Sequence, residues 1–291
     1  MSSGYDIGIF GGDKRLTFMA VLFLEKGFRV ATYSTSEPVS HARCTPLSSL
    51  KDLFDTCRIL VGPIPLSRDM VTITAANPPE DLTLARVADL LTNEHLFFGG
   101  SIPPALRQTC SEKNVCCYDL MENERITVLN AIATAEGAIL EAIAGSDINL
   151  HGSKCMVLGY GRCARVLAAK LKALDAKVLI AARSAEALAN AEAAGLAALT
   201  LPYIKCVINS CHYIFNTIPS LVLTKDCLEY ADKNVTIIDI ASAPGGVDYA
   251  YAAEQKLNAK LCLGLPGKVA PRTSADILVT EICSLIKERS D

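Results

Sequence analysis

Short apolar runs alternate with amphipathic stretches along most of the chain, and this alternation predicts parallel sheets covered by helices on both faces. In the first part, runs over residues 6–10, 29–33, 58–61, 95–98 and 115–118 predict strands, with helices near 16–25, 49–54, 82–91 and 104–112. A long helix is expected over residues 121–144, followed by a linker from Gly145 to Gly152. The second part repeats the alternation, with strands over 155–158, 177–181, 213–216, 236–239 and 260–263. Its last helix starts at Pro271, a favoured first helical position, and runs to about residue 287.

One segment gives the alternation a chemistry. Met156-Val157-Leu158 enters Gly159-Tyr160-Gly161-Arg162-Cys163-Ala164, a helical pattern follows, and a second apolar run ends at Ala182-Arg183-Ser184. Strand, glycine turn, helix and strand in this order form a dinucleotide-binding unit. The first glycine permits the turn, the second admits a pyrophosphate, and small Ala164 packs helix on strand. At the second strand tip an NAD site would place an acidic residue on the ribose 2′-hydroxyl. Arg183 and Ser184 stand there instead, which points to a 2′-phosphate and to NADP, with NAD as the alternative.

The fold expected is therefore α/β, two doubly wound Rossmann-like domains with parallel sheets, linked by a long helix, with a cleft between them. Expected bounds are 1–120 for a flavodoxin-like substrate domain, 121–150 for the connecting helix and linker, 151–270 for the NADP-binding domain, and 271–291 for a C-terminal helix packing back towards the first domain.

A net charge of −3 offers no general field for nucleic acid or an anionic membrane, so an anionic ligand needs local cations. The N-terminal residues carry no signal-peptide pattern, and the most apolar helix contains Glu136 and Glu141, so a cytoplasmic protein without a membrane span is expected. The twelve cysteines read as reduced thiols, and no Cys/His spacing suggests a metal.

Gly11-Gly12-Asp13-Lys14-Arg15 follows the first strand and is either an anion site or a turn with a solvated helix start. On the long helix, Thr127, Asn130, Thr134 and Glu141 form a narrow stripe, while Ile126, Leu129, Ile132, Ala133, Ile139, Leu140 and Ile143 spread over the opposite face, with Glu136 at its centre. Glu136 must then find a cation or hydrogen-bonding partner, reach a water-lined cleft, or carry a raised pKa suited to acid/base work. Asn216-Thr217-Ile218-Pro219-Ser220 and Asp239-Ile240-Ala241-Ser242 with Pro244-Gly245-Gly246 end two strands, as ligand-contacting segments or ordinary turns. Gly264-Leu265-Pro266-Gly267, before Val269-Ala270-Pro271, reads as punctuation or a hinge.

These motifs, in their joint order, resemble the A-subunit family of bacterial dipicolinate synthases over nearly the whole chain. The resemblance implies a sporulation enzyme that oxidises dihydrodipicolinate, a lysine-pathway product, to dipicolinate with a nicotinamide cofactor. It also implies the mother-cell cytoplasm and, as partner, the flavoprotein-like B-subunit of the same synthase. On this basis Gly12, Asp13, Arg15, Thr134, Glu136, Gly245 and Gly246 are expected at the substrate, with Glu136 or Asp13 as proton acceptor. Gly159, Tyr160, Gly161, Arg162, Cys163, Arg183, Ser184, Thr217, Ile218, Pro219 and Ala241 are expected at the cofactor. A homodimer is the base-rate expectation. Two alternatives stand beside this reading: a nucleotide-binding partner subunit without activity of its own, and a 2-hydroxyacid-type dehydrogenase. The latter would need a late His with an acidic partner, and the last histidine is His212.

Overall fold

A computed structural model describes residues 4–290; the first three positions and Asp291, which the expected domain bounds include, lie outside the described residues. The chain divides into two compact units, residues 1–127 with 270–291, and residues 128–269. It passes from one to the other inside a helix and returns just before the last one.

The first unit contains β1 (Tyr5–Phe10), α1 (Lys14–Glu25), β2 (Val30–Tyr33), β3 (Cys44–Pro46), α2 (Leu50–Thr56), β4 (Cys57–Val61), α3 (Leu84–Leu90), β5 (Leu96–Gly99), α4 (Pro104–Glu112), β6 (Cys116–Asp119) and the first turn of α5 (Glu124–Ala144). The second holds the rest of α5, then β7 (Lys154–Leu158), α6 (Arg162–Ala173), β8 (Lys177–Ala182), α7 (Ala185–Ala193), β9 (Ala197–Thr200), β10 (Tyr213–Asn216), α8 (Lys225–Leu228), β11 (Thr236–Asp239), α9 (Tyr249–Glu254), β12 (Asn258–Leu261) and α10 (Leu265–Val269). The last helix, α11 (Pro271–Ser290), belongs to the first unit, where Ala275, Leu278, Val279 and Ile282 share a core cluster with Leu16, Met19 and Phe23 of α1.

Both sheets are wholly parallel and share one topology, β3-β2-β1-β4-β5-β6 and β9-β8-β7-β10-β11-β12. That is the 3-2-1-4-5-6 order of a nucleotide-binding fold in each unit. The first unit is therefore not flavodoxin-like: five strands in the order 2-1-3-4-5 become six once β3 adds itself outside β2. Both strands missing from the sequence reading, β3 and β9, occupy this outer position. β3 is three residues long and ends in proline, and β9 is Ala-Ala-Leu-Thr with no buried residue. A partly exposed edge strand has no need of a continuous apolar run, so it leaves little pattern to read.

Local chemistry starts several of the helices. Asp13, Ser49, Thr83, Ser184 and Asp248 each accept a backbone N–H in the first turn of α1, α2, α3, α7 and α9. α6 has no such cap; Gly161 precedes it and offers no side chain.

The structure corrects the reading of α5. Its buried face is the small one, Ala131, Ala135, Ala138 and Ala142, whereas Val128, Ile132, Leu140 and Ile143 are exposed at 42–54%. Asn130, from the supposed polar stripe, is buried. The reason is close approach: a Cβ on Gly137 would lie 3.0 Å from Leu265 Cβ, so backbone proximity selects alanine and glycine over bulk. α5 is long and apolar enough to span a membrane by composition, yet half of its most apolar window is buried inside the protein.

This face assignment makes a direct prediction. Ala138→Leu overpacks a fully buried site and destabilises by about 1–3 kcal/mol, whereas Leu140→Ala stays within about 0.5 kcal/mol. Urea or thermal unfolding of the two variants checks it, and the opposite ranking would mean that the aliphatic face is the packed one.

Candidate functional site

In the second unit, strand order reverses between β7 and β10, so the loops that follow these strands diverge and leave a crevice at their carboxyl ends. The glycine turn sits there. Gly159 has φ +92°, and a Cβ on it would lie 2.5 Å from Thr217 Oγ1 and 3.2 Å from Ile218. Thr217 Oγ1 donates to the Leu158 carbonyl at 2.7 Å, which ties the β10 loop to the end of β7. Gly161 is different, because a Cβ there would meet nothing within 4 Å. The start of α6 thus presents uncapped N–H groups and the positive end of a helix dipole to an open space. Those residues fit a pyrophosphate.

Cations surround this turn. Arg162 and Arg183 are exposed, and neither forms a hydrogen bond or ion pair among the described residues. Arg165 lies over the Tyr160 ring, 5.4 Å from its centroid, and donates to the Tyr160 carbonyl at 3.2 Å. Ser184, next to Arg183, caps α7 by accepting from Ala187 N at 3.2 Å, so its hydroxyl proton remains free to donate. Burial pushes the Cys163 thiol up, opposed by Arg162 and a hydrogen bond with Thr134. Thr134 therefore stands beside the fingerprint turn, its own hydroxyl donating to the Asn130 carbonyl at 2.9 Å.

The neighbouring loops are organised by Asp239, which has no solvent exposure. It accepts hydrogen bonds from Asn216 Nδ2 at 2.8 Å, Ala241 N at 3.0 Å, Gly246 N at 2.7 Å and Tyr249 Oη at 2.9 Å. Burial, then the bond to Asp239, holds the Tyr249 phenol well above its usual range. This network corrects the expectation for Gly245 and Gly246. Gly245 N donates to the Ser242 carbonyl at 2.9 Å and Gly246 N to Asp239, so neither backbone donor is left for a ligand. A Cβ on Gly246 would lie 2.5 Å from Asn216 Nδ2 and 2.7 Å from two carbonyls. The glycines admit the protein's own loop.

Glu136 also differs from its expectation. It lies outside the packed face, its side chain is 53% exposed, and it pairs with Lys170 of α6 at 2.9 Å. Of the outcomes open to it, the cationic partner is the one found.

The first unit repeats the reversal between β1 and β4, and Gly11 to Arg15 occupies it. Asp13 caps α1 through Arg15 N and accepts from Arg15 Nε at 2.9 Å and Nη2 at 2.8 Å. Arg15, 5% exposed, also donates through Nη2 to the Ile64 carbonyl. Burial raises the Asp13 pKa, but the bonds and charge of Arg15, with the charge of Arg68 behind them, outweigh it and leave the carboxyl below its ordinary value. Asp13 is thus a poor proton acceptor; it holds Arg15. Gly12 N is spent on the Thr74 carbonyl at 2.6 Å. Arg15 keeps its donors on Nη1.

These geometries belong to a recognisable lineage. A family model for the N-terminal domain of the dipicolinate synthase A-subunit matches residues 6–121. The dipicolinate synthase A-subunit of Bacillus subtilis (strain 168) is 38% identical over 193 residues, 66% of this chain and 65% of that protein, so the match spans slightly less than two thirds of the relative. The crystal structure of the dipicolinate synthase A-subunit from Bacillus halodurans matches 98% of each chain with a TM-score of 0.87 and 28% identity. The chain is similar to dipicolinate synthase A-subunits, in its N-terminal domain by family model and over nearly its whole length by fold. The Bacillus subtilis dipicolinate synthase A-chain structure agrees, with a TM-score of 0.84 and 27% identity over 99% of this chain and 97% of that one. A transhydrogenase from Sinorhizobium meliloti, at 13% identity and a TM-score of 0.63 over 97% of this chain and 94% of that one, shares the fold.

Two features of this dipicolinate synthase relative escaped sequence reading. Asn130 is 7% exposed and its Oδ1 has no hydrogen-bond partner, but a lone Asn on a helix gives no sign of burial. Arg68 stands near Asp13 on a loop without regular pattern. Elsewhere in the first unit, a cavity of about 250 Å³ lies beside the edge strand β6, lined by Arg107, Cys117, Asp119 and Leu285. Its Arg107 is already paired with Asp119 and Glu122, and it is remote from the strand reversal. All twelve cysteines are unpaired, and burial pushes the Cys155 thiol up to about 12 and Cys57 and Cys211 to about 11, so these three are inert at neutral pH. No group of three or more metal-ligating side chains occurs among the described residues.

The Glu136 geometry carries a prediction. Glu136→Gln removes an exposed ion pair worth about 0–1 kcal/mol, so turnover should change less than about twofold and the melting point little. A tenfold or greater fall in turnover with an unchanged melting point would give Glu136 a chemical role instead.

Proposed function

We propose that the protein oxidises dihydrodipicolinate to dipicolinate with NADP, in the cytoplasm of the sporulating mother cell and alongside a second subunit. The observation that carries the reading is the start of α6: an uncapped helix end with open space at Gly161, at a strand reversal, in a chain similar to dipicolinate synthase A-subunits. The second subunit is suggested by the names of the relatives, which describe one subunit of a synthase.

The α6 N–H groups and the Gly159 turn would hold the pyrophosphate, with Tyr160, Arg162 and Cys163 around it. Arg183 and the Ser184 hydroxyl would take the 2′-phosphate as a cation and a donor. Thr217, Ile218 and Pro219, fixed over Gly159, and Ala241, whose N–H is spent on Asp239, would form the wall beyond it. When bound, the nicotinamide supplies a hydride acceptor. The dihydropyridine ring loses one hydride and one proton and becomes aromatic, so the driving force resides in the substrate. The protein's task is to bind and orient a dianion, for which Arg15 of the first unit keeps unspent donors.

Two experiments test this. The purified chain, given dihydrodipicolinate and NADP, should produce NADPH absorbance at 340 nm; silence alone but turnover with the second subunit would make the chain a nucleotide-binding partner. Arg183→Glu should weaken NADPH binding at least about tenfold, the loss of one or more charge-assisted hydrogen bonds, while NADH binding changes less than about threefold. Equal losses for both would remove Arg183 from the cofactor assignment.

A further inference from the structure

We infer that Arg68 is a carboxylate-binding residue of the first unit, acting with the free Nη1 edge of Arg15 on one carboxylate of a dicarboxylic acid; this rests on the proposed function and names a contact within it.

Arg68 lies on the loop after β4, one of the two loops that flank the reversal between β1 and β4. The loop is tied to the Gly11-Gly12 turn at several points. Arg15 Nη2 reaches the Ile64 carbonyl, Gly12 N donates to the Thr74 carbonyl at 2.6 Å, and Thr74 N donates to the Leu66 carbonyl at 2.9 Å. Leu66 N in turn donates to the Gly100 carbonyl at 2.7 Å, which fixes the loop to the end of β5. Beside Arg68 the backbone is held by Asp69, which accepts from Ser67 Oγ at 3.1 Å, Val71 N at 2.9 Å, Thr72 N at 2.8 Å and Thr72 Oγ1 at 2.6 Å. Asp69 is therefore spent on its own loop and forms no ion pair with Arg68. An arginine on a braced loop loses less freedom on binding than one on a loose loop.

The cations nearby differ in how far they are paired. Arg15 and Asp13 cancel, Lys14 is paired with Glu37 at 3.0 Å, and Arg68 forms no hydrogen bond or ion pair among the described residues while acting on Asp13 through space. With the charge of Asp69 counted the group is neutral overall, but the donors of Arg68 and the two N–H groups of Arg15 Nη1 are unspent. Two unspent guanidinium edges on neighbouring loops suit one carboxylate. Thr74 Oγ1, on the same loop, is fully buried with no partner, a further polar atom left open there. The expected backbone donor, Gly12 N, is occupied, so recognition on this side falls to the arginines.

The test is a calorimetric titration of dipicolinate into the full chain saturated with NADPH, for the unaltered protein, Arg68→Ala and Arg68→Lys. Arg68→Ala should raise the dipicolinate Kd at least about tenfold, as expected for a charge-assisted bond. Arg68→Lys should recover part of the loss, and both variants should keep NADPH affinity within about twofold, as an intact fold requires. An unchanged dipicolinate Kd in Arg68→Ala overturns the inference and leaves the proposed function standing. A parallel loss of NADPH affinity overturns it too, by making Arg68 structural. An unaltered protein that binds NADPH but no dipicolinate overturns the proposed function, and this inference with it.

Discussion

A carboxylate with no access to water must receive its hydrogen bonds from the protein, and Asp239 receives four. Meeting that requirement fixes the geometry of everything after β10 and β11. Asn216 supplies one donor and braces its own loop through Ile218 N and the Ile218 carbonyl. Gly246 supplies another, which is possible only where no Cβ stands between it and Asn216. Thr217 and Ile218 are thereby held against Gly159, so the width of the crevice beside the fingerprint turn follows from satisfying one buried charge.

The first unit solves a related problem at the equivalent strand reversal. Here the buried group is a cation, Arg15, and Asp13 takes its Nε and one Nη2 proton while capping α1. One pair thus starts the helix, anchors the loop after β4 and leaves a single edge of the guanidinium for other use. A chain of net charge −3 has no general attraction for anions, so holding them falls to local cations. Arg162 and Arg183 stand at one reversal and Arg68 at the other.

Much of this was legible in the residues. The βαβ unit from Lys154 to Ser184 announced itself because a strand, a glycine turn and a helix start are all encoded within about ten consecutive residues. Ten of the twelve strands were readable from apolar runs, while β3 and β9 were not, since neither contains a buried residue. The faces of α5 were misassigned because side-chain size suggested that isoleucine and leucine point inward. Distance decides otherwise: a helix packed this closely buries alanine and leaves Val128, Ile132, Leu140 and Ile143 outside.

The sequence by itself determined most of the elements, their parallel arrangement and the presence of a glycine turn between strand and helix, because each rests on periodicity or on glycine at a few adjacent positions. It also marked Gly12, Asp13, Arg15, Gly245 and Gly246 as unusual. Only the tertiary structure decided whom those groups serve. A backbone N–H or a carboxylate has few bonds to give, and whether they go to a ligand or to the protein depends on residues distant in the chain. Thr74 takes the Gly12 donor, Asp239 takes that of Gly246, and Lys170 takes the Glu136 carboxylate. What remains unspent, at the start of α6 and on Arg15, Arg68 and Arg183, is where a ligand has room to bind.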